Sequence, residues 1–123
     1  MSAVEPRMRW WGWGVDRDAM TLPDSAQALI EGGLGVKEPP APRVELEAIQ
    51  LPPSRLDPSV RERLTAVVGA DNMADDRLTR VSHAAGRSYP DLVRLRAGQV
   101  SGPDAVLYPG SHDEVRADRK SVV

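Results

Sequence analysis

The chain contains no cysteine and no phenylalanine, and only 4% of its residues are aromatic. The absence of cysteine excludes a disulfide framework, a thiolate nucleophile and a cysteine-based metal site. Ten glycines and eleven prolines are many for a chain of 123 residues, which has the length of one ordinary domain. We therefore expect short elements joined by extended connections rather than a dense core.

Neither sign of charge dominates, because the chain has 16 basic and 18 acidic residues and a formal net charge of -2. The signs alternate along the chain, so the basic stripe expected of a nucleic-acid-binding protein is missing. No positively charged N-terminal region precedes an apolar stretch, and no apolar run is long enough to cross a bilayer. These patterns predict a cytoplasmic protein that does not bind nucleic acid, with attachment to a membrane surface as an open alternative.

Residues 22–35 hold the first predicted helix. Asp24 or Ser25 is the expected N-cap, and a glycine suits the left-handed position at the C-terminal end. The next segment, residues 37–53, carries five prolines, which exclude a helix. We expect a stiff connector whose apolar residues dock in extended form. A proline-rich ligand for a recognition module is the alternative.

Two further helices are predicted in the middle of the chain. Asp57 as N-cap and Pro58 at the first helical position begin an amphipathic helix, which Gly69 ends. The acidic pair at residues 75–76 suits the positive end of a helix dipole and begins a third helix, which runs to about Ala85. Both helices are expected to expose apolar faces that would pack on a sheet missing from this chain.

The C-terminal part of the sequence combines a fourth helix, a strand and the start of a fifth helix. The fourth helix begins at Ser88 and ends at Gly98. An apolar run at about 104–108, flanked by prolines, predicts one short strand. Ser111 and Glu114 then form a capping box at a helix start. A lone strand leaves its backbone groups unpaired, so we expect a marginally folded, mostly helical chain.

Candidate catalytic and metal-binding residues are few. The two histidines, His83 and His112, are far apart in sequence. Asp75 and Asp76 could meet His83 at a metal ion, but no known ligand spacing supports this, and a first-turn acidic pair is typical of a helix start. Ser88 stands where a helix cap belongs and has no adjacent base. We therefore predict no catalytic constellation and no metal site.

All three tryptophans lie in residues 10–14, Trp-Trp-Gly-Trp-Gly. Three indoles packed together would bury a large apolar area, which predicts an anchor that fastens an N-terminal arm to the rest of the protein. The alternative is a contact with a membrane interface, where Trp is favoured and where Arg7 and Arg9 would meet lipid phosphates.

Four segments of the chain occur together in the order and rough spacing of one group of enzymes. They are Trp10–Gly14, Leu22–Pro23, Asp75–Arg80 and Pro103–Val115. On these residues the chain resembles the N-terminal portion of FAD-binding oxidases with the vanillyl-alcohol-oxidase, or PCMH-type, flavin fold. Within that group it is most similar to the alkyldihydroxyacetonephosphate synthases. The resemblance implies an α+β fold: a truncated N-terminal part of the flavin fold, mostly short helices with one lead-in strand.

The resemblance also implies a division of the chain. Residues 1–22 form a Trp-rich arm, residues 23–102 form a helical region that includes the connector, and residues 103–117 begin the FAD-binding domain. The tail at 118–123, Asp-Arg-Lys-Ser-Val-Val, reads as the translation of a sequencing adapter. We interpret it as an assembly artefact, with a genuine basic tail as the alternative.

For the full-length parent enzyme the resemblance implies FAD and a small-molecule or lipid-precursor substrate. The reaction would be oxidation of a hydroxy acid or alcohol, or exchange of an acyl group for a long-chain alcohol in ether lipid synthesis. Pro109, at the end of the lead-in strand, is expected to border the flavin site, and the segment alone is expected to be inactive and to bind FAD weakly or not at all. The alternative is a non-enzymatic helical adaptor that binds a membrane or a protein through its Trp motif.

Overall fold

The computed structural model describes residues 8–38 and 41–121. Within these ranges the chain forms short helices and one antiparallel two-stranded sheet, in the order α1 (Asp24–Leu34), α2 (Pro58–Val68), β1 (Met73–Ala74), α3 (Arg77–Ser82), α4 (Tyr89–Arg96), β2 (Val106–Leu107) and α5 (His112–Ser121). This is the α+β arrangement that the resemblance implies. None of the helices in the described ranges is long and apolar enough to cross a membrane.

The predicted caps hold at α2 and α4. The Asp57 carboxylate accepts the backbone N–H of Ser59 at 2.8 Å, and Pro58 occupies the first turn of α2. The Ser88 hydroxyl accepts the backbone N–H of Asp91 at 3.3 Å and so caps α4. Both helices therefore begin where the sequence predicts, because the side chain of each cap satisfies a backbone donor that the helix leaves unpaired.

At α1 the predicted end at Gly35 is confirmed, whereas Gly32 and Gly33, which were also expected to end the helix, lie within it, and the predicted N-cap is wrong. Gly35 adopts φ 67° and its N–H bonds to the carbonyl of Glu31, as a left-handed glycine cap does. The N-cap is Pro23, which makes no side-chain hydrogen bond. Asp24, one of the two expected caps, is instead the first helical residue. Pro23 is suited to this place because its extended backbone leads directly into the helix.

Helix α3 is shorter than predicted. Asp76 caps it by accepting the backbone N–H of Thr79 at 3.0 Å, but the helix ends at Ser82 rather than near Ala85. His83 leaves the helical conformation at φ -108° and ψ 9°, and its ring Nδ1 lies 2.8 Å from the carbonyl oxygen of Thr79. The same carbonyl accepts the backbone N–H of His83 at 3.2 Å, so the ring nitrogen is a second neighbour of a group that is already paired.

The lead-in strand is shorter than the predicted run and is not alone. Val106 pairs with Ala74 and Leu107 pairs with Met73, and the backbone N–H of Tyr108 donates to the carbonyl of Asn72 at 2.9 Å. The expectation of an unpaired strand is therefore wrong. A partner of two residues is too short to show the alternating pattern by which a strand is recognised in a sequence.

The core joins the Trp motif, the proline-rich connector and helices α3 and α4. Its buried members are Trp10, Ile49, Val81, Leu92 and Leu95. The connector docks against the body, as predicted, and its residue Ile49 is only 2% exposed. It is not extended throughout, because Leu46–Ala48 form a short 3-10 helix between the prolines. The placement of Pro39 and Pro40 lies outside the described residues.

The expectation that α2 and α3 would expose their apolar faces is wrong. Leu64 and Val68 of α2 are buried, and α2 packs against α5. Thr79, Arg80 and Val81 of α3 are buried as well. Helix α5 runs through Ser121, and Val122 and Val123 lie outside the described residues, so a boundary at Ala117 stays a prediction.

A pair of glycine substitutions tests the packing of the loop before β2. A Cβ at Gly102 would lie 2.8 Å from Cδ1 of Leu51 and 3.2 Å from the carbonyl oxygen of Arg80, so Gly102→Ala forces both to move. We expect it to lower the free energy of unfolding by about 1–3 kcal/mol. Gly32→Ala, in open space within α1, should increase the helical circular dichroism and cost nothing. Equal urea midpoints for both variants would contradict the close packing at Gly102.

Candidate functional site

The Trp motif closes on itself and places its three indoles in different surroundings. The backbone N–H of Arg9 donates to the carbonyl of Gly14 at 2.9 Å, and Gly14 adopts φ 74°, which favours glycine. Trp10 is buried in the core at 7% exposure, whereas Trp13 is 61% exposed. Trp11 lies between these extremes, half-buried at the surface. The predicted anchor is therefore mainly Trp10.

Arg87 holds the motif to the body, a role that the sequence did not reveal. Its Nη1 donates to the carbonyl of Trp10 at 2.6 Å, and its own carbonyl accepts the indole N–H of Trp13 at 3.0 Å. Arg87 is thus a donor to the Trp motif in one contact and an acceptor from it in the other. No local pattern marks Arg87, because its partners lie more than seventy residues away in sequence, at separations of 77 and 74.

Three guanidinium groups surround the indole of Trp11. The Cζ atoms of Arg9, Arg43 and Arg96 lie 4.9, 5.0 and 5.7 Å from the ring centroid. These distances are typical of cation–π contacts. Arg9 also pairs with Asp16 at 2.7 Å and Arg43 pairs with Glu45 at 3.2 Å, while Arg96 donates to the carbonyl of Ala41 at 3.4 Å. The indole of Trp11 is thus held by side chains from the motif, the connector and α4, and the alternative of a membrane contact stays a prediction.

Beside these arginines lies a groove of about 680 Å³, which we call the Trp groove. It is lined by Arg9, Trp11, Gly12, Trp13, Ala41, Pro42, Tyr89, Leu92, Val93, Arg96 and Ala97. The lining is mostly apolar, carries two arginines and includes no carboxylate. The volume falls within the range of about 300–1,000 Å³ that is usual for binding sites. The Trp groove is therefore a candidate binding surface.

The carboxyl groups of Asp57 and Asp91, which both stand at helix starts, have a lowered pKa. The hydroxyl of Ser59, followed by its backbone N–H, lowers the pKa of Asp57. The hydroxyl of Ser88, followed by the guanidinium of Arg94, lowers the pKa of Asp91. A carboxyl held in its charged form by its own helix is a structural group, and neither lowered pKa indicates a catalytic acid.

Pro109, the predicted border of the flavin site, is exposed and lies two residues after the end of β2. The next turn uses its polar groups internally. The backbone N–H of Gly110 donates to the carboxylate of Glu114 at 2.6 Å, and the hydroxyl of Ser111 accepts the backbone N–H of Glu114 at 3.2 Å. The predicted capping box is thus half confirmed, because Glu114 reaches Gly110 instead of the backbone of Ser111. The role of Pro109 stays a prediction.

The residues weighed as metal ligands have structural partners. Asp75 forms an ion pair with Arg61, Asp76 caps α3, and His83 lies edge-on to Tyr108 with ring centroids 6.1 Å apart. Across residues 8–38 and 41–121, no three His, Asp or Glu side chains meet closely enough to hold a metal ion. Arg7, named with Arg9 as a lipid contact, lies outside the described residues.

A curated protein of similar size is related to the chain. Protein Rv2250A of Mycobacterium tuberculosis (strain ATCC 25618 / H37Rv) is 34% identical over 106 residues, which cover 85% of this chain and 71% of that protein. The chain belongs to the same family as this protein. No protein-family model matches the chain.

The chain is also similar to a part of longer enzymes. The alkyldihydroxyacetonephosphate synthase of Dictyostelium discoideum is 32% identical over 136 residues, covering 89% of this chain and 22% of the enzyme. The alkyldihydroxyacetonephosphate synthase of Trypanosoma brucei brucei is 31% identical over 86 residues, which cover 69% of this chain and 14% of that enzyme. The chain thus spans about a fifth or less of the synthases that it matches.

Solved structures agree with the sequence comparison. A structure of alkyldihydroxyacetonephosphate synthase in space group P1 matches with a TM-score of 0.80 and 30% identity, over 94% of this chain and 26% of that one. A second, in space group P212121, matches with a TM-score of 0.78 and 28% identity. The resemblance to the synthases and the implied fold class are therefore confirmed.

Proposed function

We propose that the chain is the N-terminal part of an FAD-dependent enzyme of the alkyldihydroxyacetonephosphate synthase type. The observation that carries the proposal is the match to solved synthase structures over nearly the whole chain. The internal arrangement of the chain supports it as well. Trp10 is buried in the core and Trp11 is enclosed by arginines, which fits a structural part of an enzyme better than a free adaptor that inserts its indoles elsewhere.

The parent enzyme would use FAD on a lipid precursor. Two reactions suit the resemblance: oxidation of a hydroxy acid or alcohol, and exchange of the acyl group of an acylated dihydroxyacetone phosphate for a long-chain alcohol. The relatives bear the name of the synthase, and this favours the exchange reaction. The residues of this chain would support the fold of the enzyme, and the residues that carry out the reaction would lie elsewhere in it.

The chain's own residues do not fit the whole of an FAD molecule. A pyrophosphate is usually held by free backbone N–H groups at the N-terminus of a helix. At the start of α5, the N–H of Gly110 is already bonded to Glu114, and Asp113 adds a second carboxylate that would repel phosphate. We propose that this chain contributes only a border of the flavin site near Pro109, and that it is inactive alone.

Flavin content tests this proposal. The genomic DNA is first read across the codon for Ala117, and the longer product and the 123-residue chain are then purified in parallel. We expect the longer product to be yellow, with near-stoichiometric FAD by absorbance, and the short chain to be colourless. A colourless longer product, or a frame that stops after Val123, would overturn the enzyme proposal and favour an adaptor. Stoichiometric flavin on the short chain would overturn the limited role of Pro109.

A further inference from the structure

Helix α1 carries an apolar face that the rest of the described chain does not bury. At the helical spacing of 100° per residue, this face consists of Ala26, Leu29, Ile30, Gly33 and Leu34. None of the 11 residues of α1 is buried, and Leu29 and Leu34 are each 75% exposed. A helix of this length is only marginally stable by itself, and in proteins such helices are stabilised mainly by packing of their apolar face. We therefore expect the partner of this face to lie outside the described residues.

The match to a solved synthase indicates where this partner lies. The match covers 94% of this chain, and the unmatched part is too short to contain the 11 residues of α1. Helix α1 thus belongs to the shared fold. The same match covers only 26% of the synthase chain, so most of that chain is additional protein. We call the corresponding part of the parent enzyme, outside this chain, the remainder.

The segment is found both in long enzymes and in a short protein. The matched residues make up 22% of the Dictyostelium discoideum synthase but 71% of protein Rv2250A. Contacts between parts of one chain resemble transient contacts between separate proteins, so a surface that joins this segment to the remainder can also act between two polypeptides. The segment has its own core for this purpose, and no residue of α1 belongs to it.

We propose that the apolar face of α1 binds the remainder of the enzyme, and that this contact forms even when the two parts are separate polypeptides. The proposal rests on the proposed function, because it takes the remainder of that enzyme as the partner. A remainder joined to α1 in one polypeptide acts at an effective concentration on the order of millimolar, which favours it over a second copy of the chain.

The charge of α1 defines the surface that it fits. Residues 19–36, which contain α1, include Asp24 and Glu31 but no lysine or arginine. The surface of the remainder should therefore be apolar with basic residues at its border, because complementary charges favour the correct partner and disfavour others.

Hydrogen exchange tests the contact in the 123-residue chain and in the longer product. We expect the amides of α1 to exchange rapidly in the short chain and at least about tenfold more slowly in the longer product. The amides of α4, which carries the core residues Leu92 and Leu95, are the control and should be protected in both. Equal exchange of α1 in the two proteins would overturn the proposal. Protection of α1 that rises with the concentration of the short chain would assign the face to a second copy and overturn it as well.

Co-expression tests binding between separate polypeptides. The 123-residue chain carries an affinity tag, and the second polypeptide is the part of the longer product that follows Ala117. The helix variant, Leu29→Gln with Leu34→Gln, removes apolar side chains from the face without adding charge. The control, Ala28→Gln, makes the same kind of change on the opposite, polar face. All three sites are exposed, and circular dichroism should show that both variants are folded.

We expect the unaltered chain and the control to recover the second polypeptide in a one-to-one complex. The helix variant should recover less than about a tenth as much, because a few buried side chains carry most of the binding energy of an interface. Recovery by the helix variant equal to that by the control would overturn the assignment to α1.

The failure of this proposal differs from the failure of the proposed function. A colourless longer product overturns the proposed function, and the partner named here falls with it. A yellow longer product whose second polypeptide is not recovered with the chain, whether it is soluble or not, overturns only the binding between separate polypeptides. A yellow longer product with slow exchange in α1 and recovery that depends on Leu29 and Leu34 supports both.

Discussion

Trp10→Ala is expected to lower the free energy of unfolding by about 3–5 kcal/mol, the usual cost of removing a buried aromatic side chain. Trp10 is 7% exposed and packs in the core with Ile49, Val81 and Leu95. Its removal leaves a cavity beside all of them. Because small domains have only about 5–15 kcal/mol of stability in total, this loss is a large fraction of the whole and should shift the urea midpoint strongly. Urea denaturation followed by circular dichroism measures the difference.

Trp13→Ala is the matched control for this effect within the same motif. Trp13 is 61% exposed and loses a single hydrogen bond, from its indole N–H to the carbonyl of Arg87. We expect a loss of no more than about 1.5 kcal/mol. If the two alanine variants were equally stable, Trp10 would not be the anchor of the motif. A large loss for Trp13 alone would point to the rim of the groove instead.

Arg80→Met is expected to lower the free energy of unfolding by about 2–4 kcal/mol. Arg80 is 6% exposed, and its Nε donates to the carbonyl of Pro103 at 2.7 Å while its Nη2 donates to the carbonyl of Pro52 at 2.8 Å. Methionine retains most of the apolar stem but has no donor, so two carbonyl groups lose their partner. The same chemical denaturation experiment reports the loss.

Two further arginine variants show whether the hydrogen bonds of Arg80 cause this loss. Arg94→Met removes an ion pair between Arg94, whose side chain is 58% exposed, and Asp91. We expect this variant to lose less than about 1 kcal/mol of the free energy of unfolding. Arg80→Lys keeps the charge but not the planar fork of donors, so it should recover only part of the stability. Full stability in Arg80→Met would show that the two carbonyl groups do not need the guanidinium.

The helix boundaries that the sequence predicted well depend on interactions within a few residues. Asp57 with Pro58, Ser88 and Gly35 each act on a backbone group that is close in sequence. The end of α3 was predicted too late, because Gly86 looked like the stop signal whereas the backbone already leaves the helical conformation at His83, with φ -108° and ψ 9°. Interactions within a few residues therefore set these helix ends. The error at α3 came from taking Gly86 as its end.

The features that were missed depend on partners far away in sequence. The pairing of β1 with β2 joins Met73 to Leu107, and two residues carry no pattern of their own. No local pattern in the sequence indicates that the guanidinium groups of Arg80 and Arg87 donate to carbonyls of distant segments. The Trp groove is likewise assembled from the motif, the connector and α4. The Trp motif could be recognised in the sequence, but the groove beside it could not, because its other lining residues come from distant parts of the chain.

The link between Arg87 and the Trp motif also bears on how the chain folds. Trp10 and Trp13 reach Arg87 across 77 and 74 residues of sequence, so the contact closes a very long loop. Such contacts carry a high entropic cost early in folding, and they usually form after helices that need only near neighbours. The arm should therefore dock late. Substitutions in it would mainly accelerate unfolding and leave the rate of folding almost unchanged.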